Sequence, residues 1–243
     1  MPEPDLDYPE LLAGAVRDMA AALALADPDA PVPSCPGWTV VDLAEHIVSV
    51  HQWATKIVST GEFQRPLDVR RTGLLSDWYA ETGQALVSTM RAARPEAPCW
   101  NFAPVPQVAG FWPRRQLHET TIHTVDVLQT AGRPPAIEAR VAADGVDEAF
   151  RVFLPRMLVR GFPPAVTEPV TVVSTDTDDV WTLTPVDGQA PRVDASRGEA
   201  LATISAPARD LYLALWKRAS FDSLAIAGDA QVAAGFLTGR ITP

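Results

Sequence analysis

The stretch RRQLHETTIHTVD, residues 114–126, carries polar side chains at helical spacing between apolar ones. At 100° per residue, Glu119 and His123 are four residues apart and stack on one face of a helix, and Asp126 falls on the same stripe. Apolar side chains flank this stripe on both sides, so we expect the polar groups to be at least partly buried. Burying a carboxylate costs several kcal/mol unless it is paired or bound to a cation. The stretch therefore predicts a helix whose polar stripe has a partner inside the fold.

Two interpretations of this stripe are open from the residues alone. In the first, Glu119 and His123 form a hydrogen-bonded pair in the core of a helical bundle. In the second, they are two ligands of a divalent metal, each roughly 2.0–2.2 Å from a zinc-like ion, with a third ligand from another helix and one position left open. The spacing H-E-x-x-x-H differs from the zincin motif H-E-x-x-H, in which the histidines are four residues apart, so no metalloprotease is predicted.

The segment TVVDLAEHIVSVHQWA, residues 39–54, is a second predicted helix and offers two histidines. His46 lies on the apolar seam of this helix, beside Ile47 and Val50, and this seam should face the interior of a bundle. His51 is five residues further on, about 140° around the helix, and we expect it to point away from the interior. His46 is therefore the candidate third ligand, with a hydrogen-bonded core histidine as the alternative.

The composition excludes several classes of function. A net charge of −10 makes binding to phosphate backbones unfavourable, and no apolar run approaches the roughly 20 residues that cross a bilayer. The acidic N-terminal segment MPEPDLDYPELL lacks the basic region of a signal peptide. Two cysteines are too few for a disulfide scaffold. We therefore expect a cytoplasmic protein that binds neither nucleic acid nor membranes.

The first half of the chain predicts four helices separated by proline-rich segments. Their expected bounds are 11–25, 39–59, 74–93 and 113–131. Thr39 and Asp42 have the T-x-x-D spacing of a capping box at the start of the second helix. Four helices of this length favour an antiparallel bundle.

The second half predicts an α+β domain, because runs of β-branched residues alternate with a few helices set apart from them. A helix is expected from Val141 to Phe153, ending ahead of Pro155. Strands are expected at 169–175, 179–185, 191–196, 200–206 and 223–228, and helices at 207–218 and 229–237. The first two strands are expected to form a hairpin. The predicted domains are a four-helix bundle over 1–135 and an α+β domain over 136–243.

Two segments resemble the mycothiol-dependent maleylpyruvate isomerase family, which belongs to the DinB-like metal-dependent four-helix bundles. They are VPSCPGWTVVDLAEHIVSVHQWA, residues 32–54, and RRQLHETTIHTVDVL, residues 114–128. The later stretch DLYLALWKR…LAIAGD, residues 210–229, resembles the family's second domain, a small α+β module. The combination of CPGW-x₃-D-x₃-H with a late E-x₃-H is specific, whereas the strand region is not.

The resemblance implies a metal site. In the family a divalent metal, typically zinc, is held by one histidine of the second helix and by a glutamate and a histidine of the fourth, roles that match His46, Glu119 and His123. Nickel also suits this nitrogen and oxygen donor set. Family enzymes use the low-molecular-weight thiol mycothiol, and a metal lowers the pKa of a bound thiol. The thiolate would add to an activated double bond; rotation and elimination give isomerisation, and stopping earlier gives S-transfer.

The resemblance also implies an arginine of the second domain near the cleft. Arg218, in ALWKR, is the candidate to pair with a substrate carboxylate, because a guanidinium fork suits that group; a surface arginine at a helix end is the alternative. The leading hypothesis is a metal-dependent, mycothiol-using isomerase or thiol S-transferase that acts on a small anionic molecule. The alternatives are a non-catalytic small-ligand-binding or regulatory protein and a metal-dependent hydrolase, whose nucleophile would be metal-bound water.

Overall fold

The structure, a computed structural model, describes residues 6–243. The expected start of the first domain at residue 1, with the first five residues of the acidic N-terminal segment, lies outside the described residues. The chain divides into two compact units. One comprises the described residues up to 102 together with Pro106–Pro135, and the other comprises Ala103–Val105 and Ala136–Pro243.

The first unit is a four-helix bundle, as predicted. Its helices are Tyr8–Leu25 (α1), Val40–Thr60 (α2), Leu75–Ala92 (α3) and Phe111–Thr130 (α4). Helices α1 and α2 each pack against both α3 and α4. Every helix therefore has two neighbours, and the core lies between them.

Local sequence signals fix both ends of α2. At its start, the backbone N–H of Asp42 donates to the Thr39 hydroxyl over 3.3 Å, and the Asp42 carboxylate accepts from the Thr39 N–H over 2.8 Å. This is the predicted capping box. The hydrogen bonds that the Thr39 N–H and hydroxyl donate to the Asp42 carboxylate lower the pKa of Asp42. At its end, Gly61 adopts φ +75° and donates its N–H to the Ile57 carbonyl. The helix register that places the two histidines is thus set locally.

Helix α4 is buried over most of its circumference. Trp112 is fully buried, and its indole N–H donates to the Trp100 carbonyl over 2.9 Å. Arg115, His118 and Asp126 are also buried. A helix that is enclosed on most sides must bring its polar residues into the interior, where they need partners.

The second unit combines a mixed sheet with short helices, which confirms the predicted α+β class. Its helices are Ala139–Glu148 (α5), Leu154–Val159 (α6), Ala208–Leu215 (α7) and Ala230–Thr238 (α8), and its strands are Val170–Ser174 (β1), Val180–Thr184 (β2), Arg192–Asp194 (β3), Ala202–Ala206 (β4) and Ala225–Gly228 (β5). The sheet order is β3-β2-β1-β4-β5. Strands β1 and β2 form the predicted antiparallel hairpin, and β1 pairs in parallel with β4.

The expectation that the helix after residue 141 ends ahead of Pro155 is wrong. A π-helical turn, Ala149–Phe153, follows α5, and α6 continues directly from it. Pro155 is the second residue of α6, directly after the π-helical turn, so the hydrogen bond that a proline cannot donate is missing where the helix changes type. Helical structure thus extends past the proline to Val159.

Within residues 6–243, the structure contains no helix with both the length and the apolar character needed to cross a membrane.

Candidate metal centre

The three predicted ligands meet in the bundle, where α2 faces α4. His46 Nε2 and His123 Nε2 each lie 3.4 Å from the same atom, Glu119 Oε1. All three candidate ligand atoms lie within 4.8 Å of one another, and the two imidazole rings meet edge to face with centroids 5.1 Å apart. One turn of α2 and one turn of α4 therefore bring two nitrogens and one oxygen to a common point.

The distances in this cluster match metal ligands better than hydrogen-bonded partners. A good N–H···O hydrogen bond spans about 2.7–3.2 Å, and both contacts here are 3.4 Å. Two ligands at about 2.1 Å from a tetrahedral ion are separated by about 3.4 Å. The donor set of two imidazoles and one carboxylate also suits zinc and nickel. His46, Glu119 and His123 therefore fit a divalent metal.

A hydrogen bond behind the cluster orients His123. The Asp126 carboxylate is fully buried, and its Oδ2 lies 2.9 Å from His123 Nδ1. In this arrangement Nδ1 carries the proton and donates it to Asp126, which leaves Nε2 facing Glu119 and His46. A carboxylate behind the ligand histidine is the usual way in which proteins fix the tautomer of such a ring.

In the metal-free cluster, the pKa values of Glu119 and His123 are shifted in opposite directions. Burial opposes the ionisation of Glu119, but its 3.4 Å contacts with His123 and His46 and the charge of Arg115 outweigh it and hold the pKa of Glu119 well below its usual range. Burial likewise opposes the charge on His123, yet hydrogen bonds with Asp126 and Glu119 raise its pKa to about 9. A cation at His123 Nε2 would have to displace a proton, so rising pH favours metal binding.

Sequence reasoning missed Arg115. Its guanidinium Nη2 lies 2.9 Å from Glu119 Oε2, and its side chain is only 3% exposed. The signal was present in the stretch 114–126, since arginine and glutamate four residues apart on a helix form ion pairs. Cys35 is a second neighbour of the cluster, with Sγ 3.8 Å from Asp126 Oδ2.

His46 is the most exposed of the three candidate ligands and borders a cleft. This side chain is 34% exposed and forms part of the wall of a cleft of about 480 Å³. Trp38 and Arg70 also line this cleft, and the Trp38 and His46 ring centroids are 5.1 Å apart. All residues that line the cleft belong to the bundle. Of the three candidate ligands, His46 is therefore the one that borders this cleft.

The expectation that His51 points away from the interior is wrong. His51 is fully buried, with Nδ1 2.9 Å from Gln116 Oε1 and Nε2 3.2 Å from the Tyr79 hydroxyl. The helical wheel assumed one narrow interior face, but α2 packs against both α3 and α4, so its buried arc is wide. His46 lies at the edge of that arc.

The remaining predicted site residue, Arg218, lies in the second unit, just after α7. Its Nη1 donates to the Trp216 carbonyl over 2.7 Å. Its role toward a substrate carboxylate stays a prediction. His118, which the sequence set apart from Glu119, is buried and lies outside the group of three candidate ligands.

Both units match the models of known protein domains. Residues 10–128 match the family model described as the mycothiol maleylpyruvate isomerase N-terminal domain. Residues 140–235 match the model described as the MDMPI C-terminal domain. The chain belongs to this isomerase family. The two matched regions cover most of the chain, and they include all three candidate ligands and Arg218.

Two solved structures share the fold of this family member. The crystal structure of the mycothiol-dependent maleylpyruvate isomerase aligns with a TM-score of 0.63 at 14% identity, covering 92% of this chain and 93% of that chain. A mutant of that isomerase with one histidine changed to alanine aligns with a TM-score of 0.60 at 13% identity, with the same coverage. No curated protein matches the chain significantly in sequence. At these identities, the two structures establish a common fold.

Proposed function

We propose that this family member is a metal-dependent enzyme that uses mycothiol to isomerise, or to transfer a thiol to, a small anionic molecule. The observation that carries the proposal is the convergence of His46 Nε2, His123 Nε2 and Glu119 Oε1 at metal-ligand spacing. The mycothiol part rests on family membership and on the structural relative, which is itself a mycothiol-dependent maleylpyruvate isomerase.

The three residues would hold zinc or nickel, with a position left for a further ligand. When bound, the metal supplies a Lewis acid that lowers the pKa of a thiol into the physiological range. Two residues that contact the ligands hold them in the form that binds a metal. Asp126 holds the His123 proton on Nδ1, and Arg115 balances the charge of Glu119.

The charge balance of the centre favours an anionic ligand. Glu119 and Asp126 carry two negative charges and Arg115 carries one positive charge, so a divalent cation would leave one net positive charge. A thiolate, or the carboxylate of a substrate, is attracted to such a centre. In this proposal Arg218 binds the substrate carboxylate, as the resemblance implies. A cytoplasmic location fits a thiol that must stay reduced.

Turnover with and without thiol tests the proposed function. We expect the zinc-loaded protein to isomerise maleylpyruvate, or to transfer a thiol to a related unsaturated acid, only when mycothiol is present. The His46→Ala variant should lose this activity, and Glu10→Gln, which alters an exposed residue of the same bundle paired with Arg91, should keep it. Hydrolysis of a substrate without any thiol would favour the hydrolase instead. Metal binding without turnover of a broad panel of unsaturated acids would favour a binding protein.

A further inference from the structure

The carboxylate of Glu119 divides its two oxygens between different partners. Oε1 faces His46 Nε2 and His123 Nε2, each at 3.4 Å. Oε2 accepts a hydrogen bond from Arg115 Nη2 over 2.9 Å. The oxygen that Arg115 holds is thus the one that does not face the two imidazoles.

Arg115 is held firmly enough to enforce this division. It precedes Glu119 by one helical turn, so the ion pair lies along a single rigid element. Its side chain is 3% exposed, and a buried guanidinium needs its hydrogen bonds to offset the loss of water. The planar fork of arginine is also more preorganised than the flexible chain of lysine. Rotation of the Glu119 carboxylate would break a short, buried, charge-assisted contact.

We propose that Arg115 is a positioning residue that restricts Glu119 to ligation through one oxygen and so keeps a coordination position open for the thiol. The inference rests on the proposed metal site. A carboxylate can bind a metal through one oxygen or through both. With Oε2 bound to Arg115, only Oε1 is available to a metal, and the fourth position of a tetrahedral site stays free. Without Arg115, Oε2 is released and can bind the metal beside the ligand in that position, which crowds the position and raises the coordination number above four.

Cobalt(II) bound to the protein tests this inference, because its visible absorption is much stronger in four-coordinate tetrahedral sites than in sites of higher coordination number. We expect the unaltered protein to bind one cobalt ion with the strong spectrum. The Arg115→Met variant should bind one cobalt ion with the weak spectrum of a higher coordination number. Arg115→Lys, which keeps a cationic donor, should restore part of the strong spectrum.

Control variants separate this effect from simple loss of an ion pair. Arg91→Met removes the exposed pair with Glu10 in the same bundle and should leave the cobalt spectrum unchanged. If Arg115→Met does not fold, Arg115→Gln carries the same prediction, because its neutral side chain cannot form the charge-assisted contact with Oε2. A strong, unaltered cobalt spectrum in the metal-loaded Arg115→Met or Arg115→Gln variant would overturn the inference alone. Failure of the unaltered protein to bind cobalt or zinc would overturn the proposed function, and the inference with it.

Discussion

Two polar clusters join the same pair of helices, α2 and α4, and they differ in the distances between their polar atoms. In one, His51 of α2 meets Gln116 of α4 and Tyr79 of α3 at 2.9 and 3.2 Å. In the other, His46 of α2 meets Glu119 and His123 of α4, and both imidazole nitrogens lie 3.4 Å from one carboxylate oxygen. His46 meets the later residues of α4 and His51 the earlier one, so α2 and α4 run antiparallel, as predicted.

The His51 cluster has the geometry of a complete hydrogen-bond network, whereas the Glu119 cluster has donor atoms at the spacing of metal ligands. The His51 cluster is neutral and fully buried, and each ring nitrogen has a partner within hydrogen-bond distance. The Glu119 cluster contains a carboxylate, is partly exposed at His46, and holds its three donor atoms slightly too far apart for good hydrogen bonds. Two histidines of the same helix therefore differ in role: His51 stabilises the core, and His46 lies in a cluster that fits a metal.

The largest loss of zinc affinity is expected from a change in the ligand cluster itself. Glu119→Gln replaces the carboxylate with a neutral amide, as found beside His51, and should reduce zinc affinity by more than about 100-fold, beyond the loss typical of residues behind the ligands. Competition with a chromophoric chelator measures this. The matched variant Gln116→Leu changes the other cluster and should retain the affinity. Equal zinc binding by Glu119→Gln and the unaltered protein would remove the distinction between the clusters.

A smaller loss is expected from the residue behind the ligand. Asp126→Asn replaces the carboxylate behind His123 with a neutral amide that can also donate to Nδ1, so the tautomer is no longer fixed and zinc affinity should fall by about 10- to 100-fold. The same chelator competition measures it. Asp42→Asn, at the exposed cap of α2, serves as the control and should bind zinc normally. If Asp126→Asn bound zinc as tightly as the control, the hydrogen bond between His123 and Asp126 would have no part in the centre.

The two clusters should also respond to pH with opposite signs in the metal-free protein. Burial, opposed by the Gln116 hydrogen bond, lowers the pKa of His51 to about 4 in the folded state, from 6.5. The unfolded chain then binds the proton more readily, so stability falls as the pH drops from about 6.5 to 4, by about 3 kcal/mol in total. The pKa of His123 is raised to about 9; its contribution is complete below about 6.5 and is lost as the pH rises through 9.

Urea unfolding from about pH 4 to 9 measures these contributions. The His51→Leu variant should lose most of the acidic slope and keep the alkaline loss. The His123→Leu variant should do the reverse. An acidic slope of the same size in His51→Leu and the unaltered protein would show that other groups dominate acid unfolding.

The smallest expected effect concerns the start of α2. Thr39→Ala removes one half of the capping box and should lower the free energy of unfolding by about 1 kcal/mol. Because the first turn of α2 lies closer to His46 than to His51, hydrogen exchange should increase around His46 first. Ser59→Ala, at the far end of the helix, is the control. Uniform exchange along α2 in Thr39→Ala would contradict this local effect.

Much of the fold follows from short-range signals. Helix α2 begins where the Thr39 and Asp42 spacing predicts it, and the first two strands form the expected hairpin. The stripe of Glu119, His123 and Asp126 also follows from helical periodicity alone. These features depend on residues that are close together in the chain, so they can be predicted from the local sequence.

Other features depend on contacts between distant segments and could not be predicted in this way. The burial of His51 depends on a second neighbouring helix that supplies Tyr79. The parallel pairing of β1 with β4 depends on the order of the whole sheet. The π-helical turn ahead of Pro155 depends on packing that a proline rule does not include. The contact of Arg115 with Glu119 was readable from spacing, but its orientation toward Oε2 required the structure.

Elemental analysis of protein purified without a histidine tag or chelator tests the central claim most directly. The unaltered protein should carry close to one divalent metal ion per chain, and the His46→Ala, His123→Ala double variant should carry almost none while keeping its helical circular dichroism. Absence of metal from the unaltered protein, even after incubation with zinc and nickel, would contradict the proposed metal centre. The stripe on α4 would then be a buried ion pair, and the two histidine clusters would serve the same structural purpose.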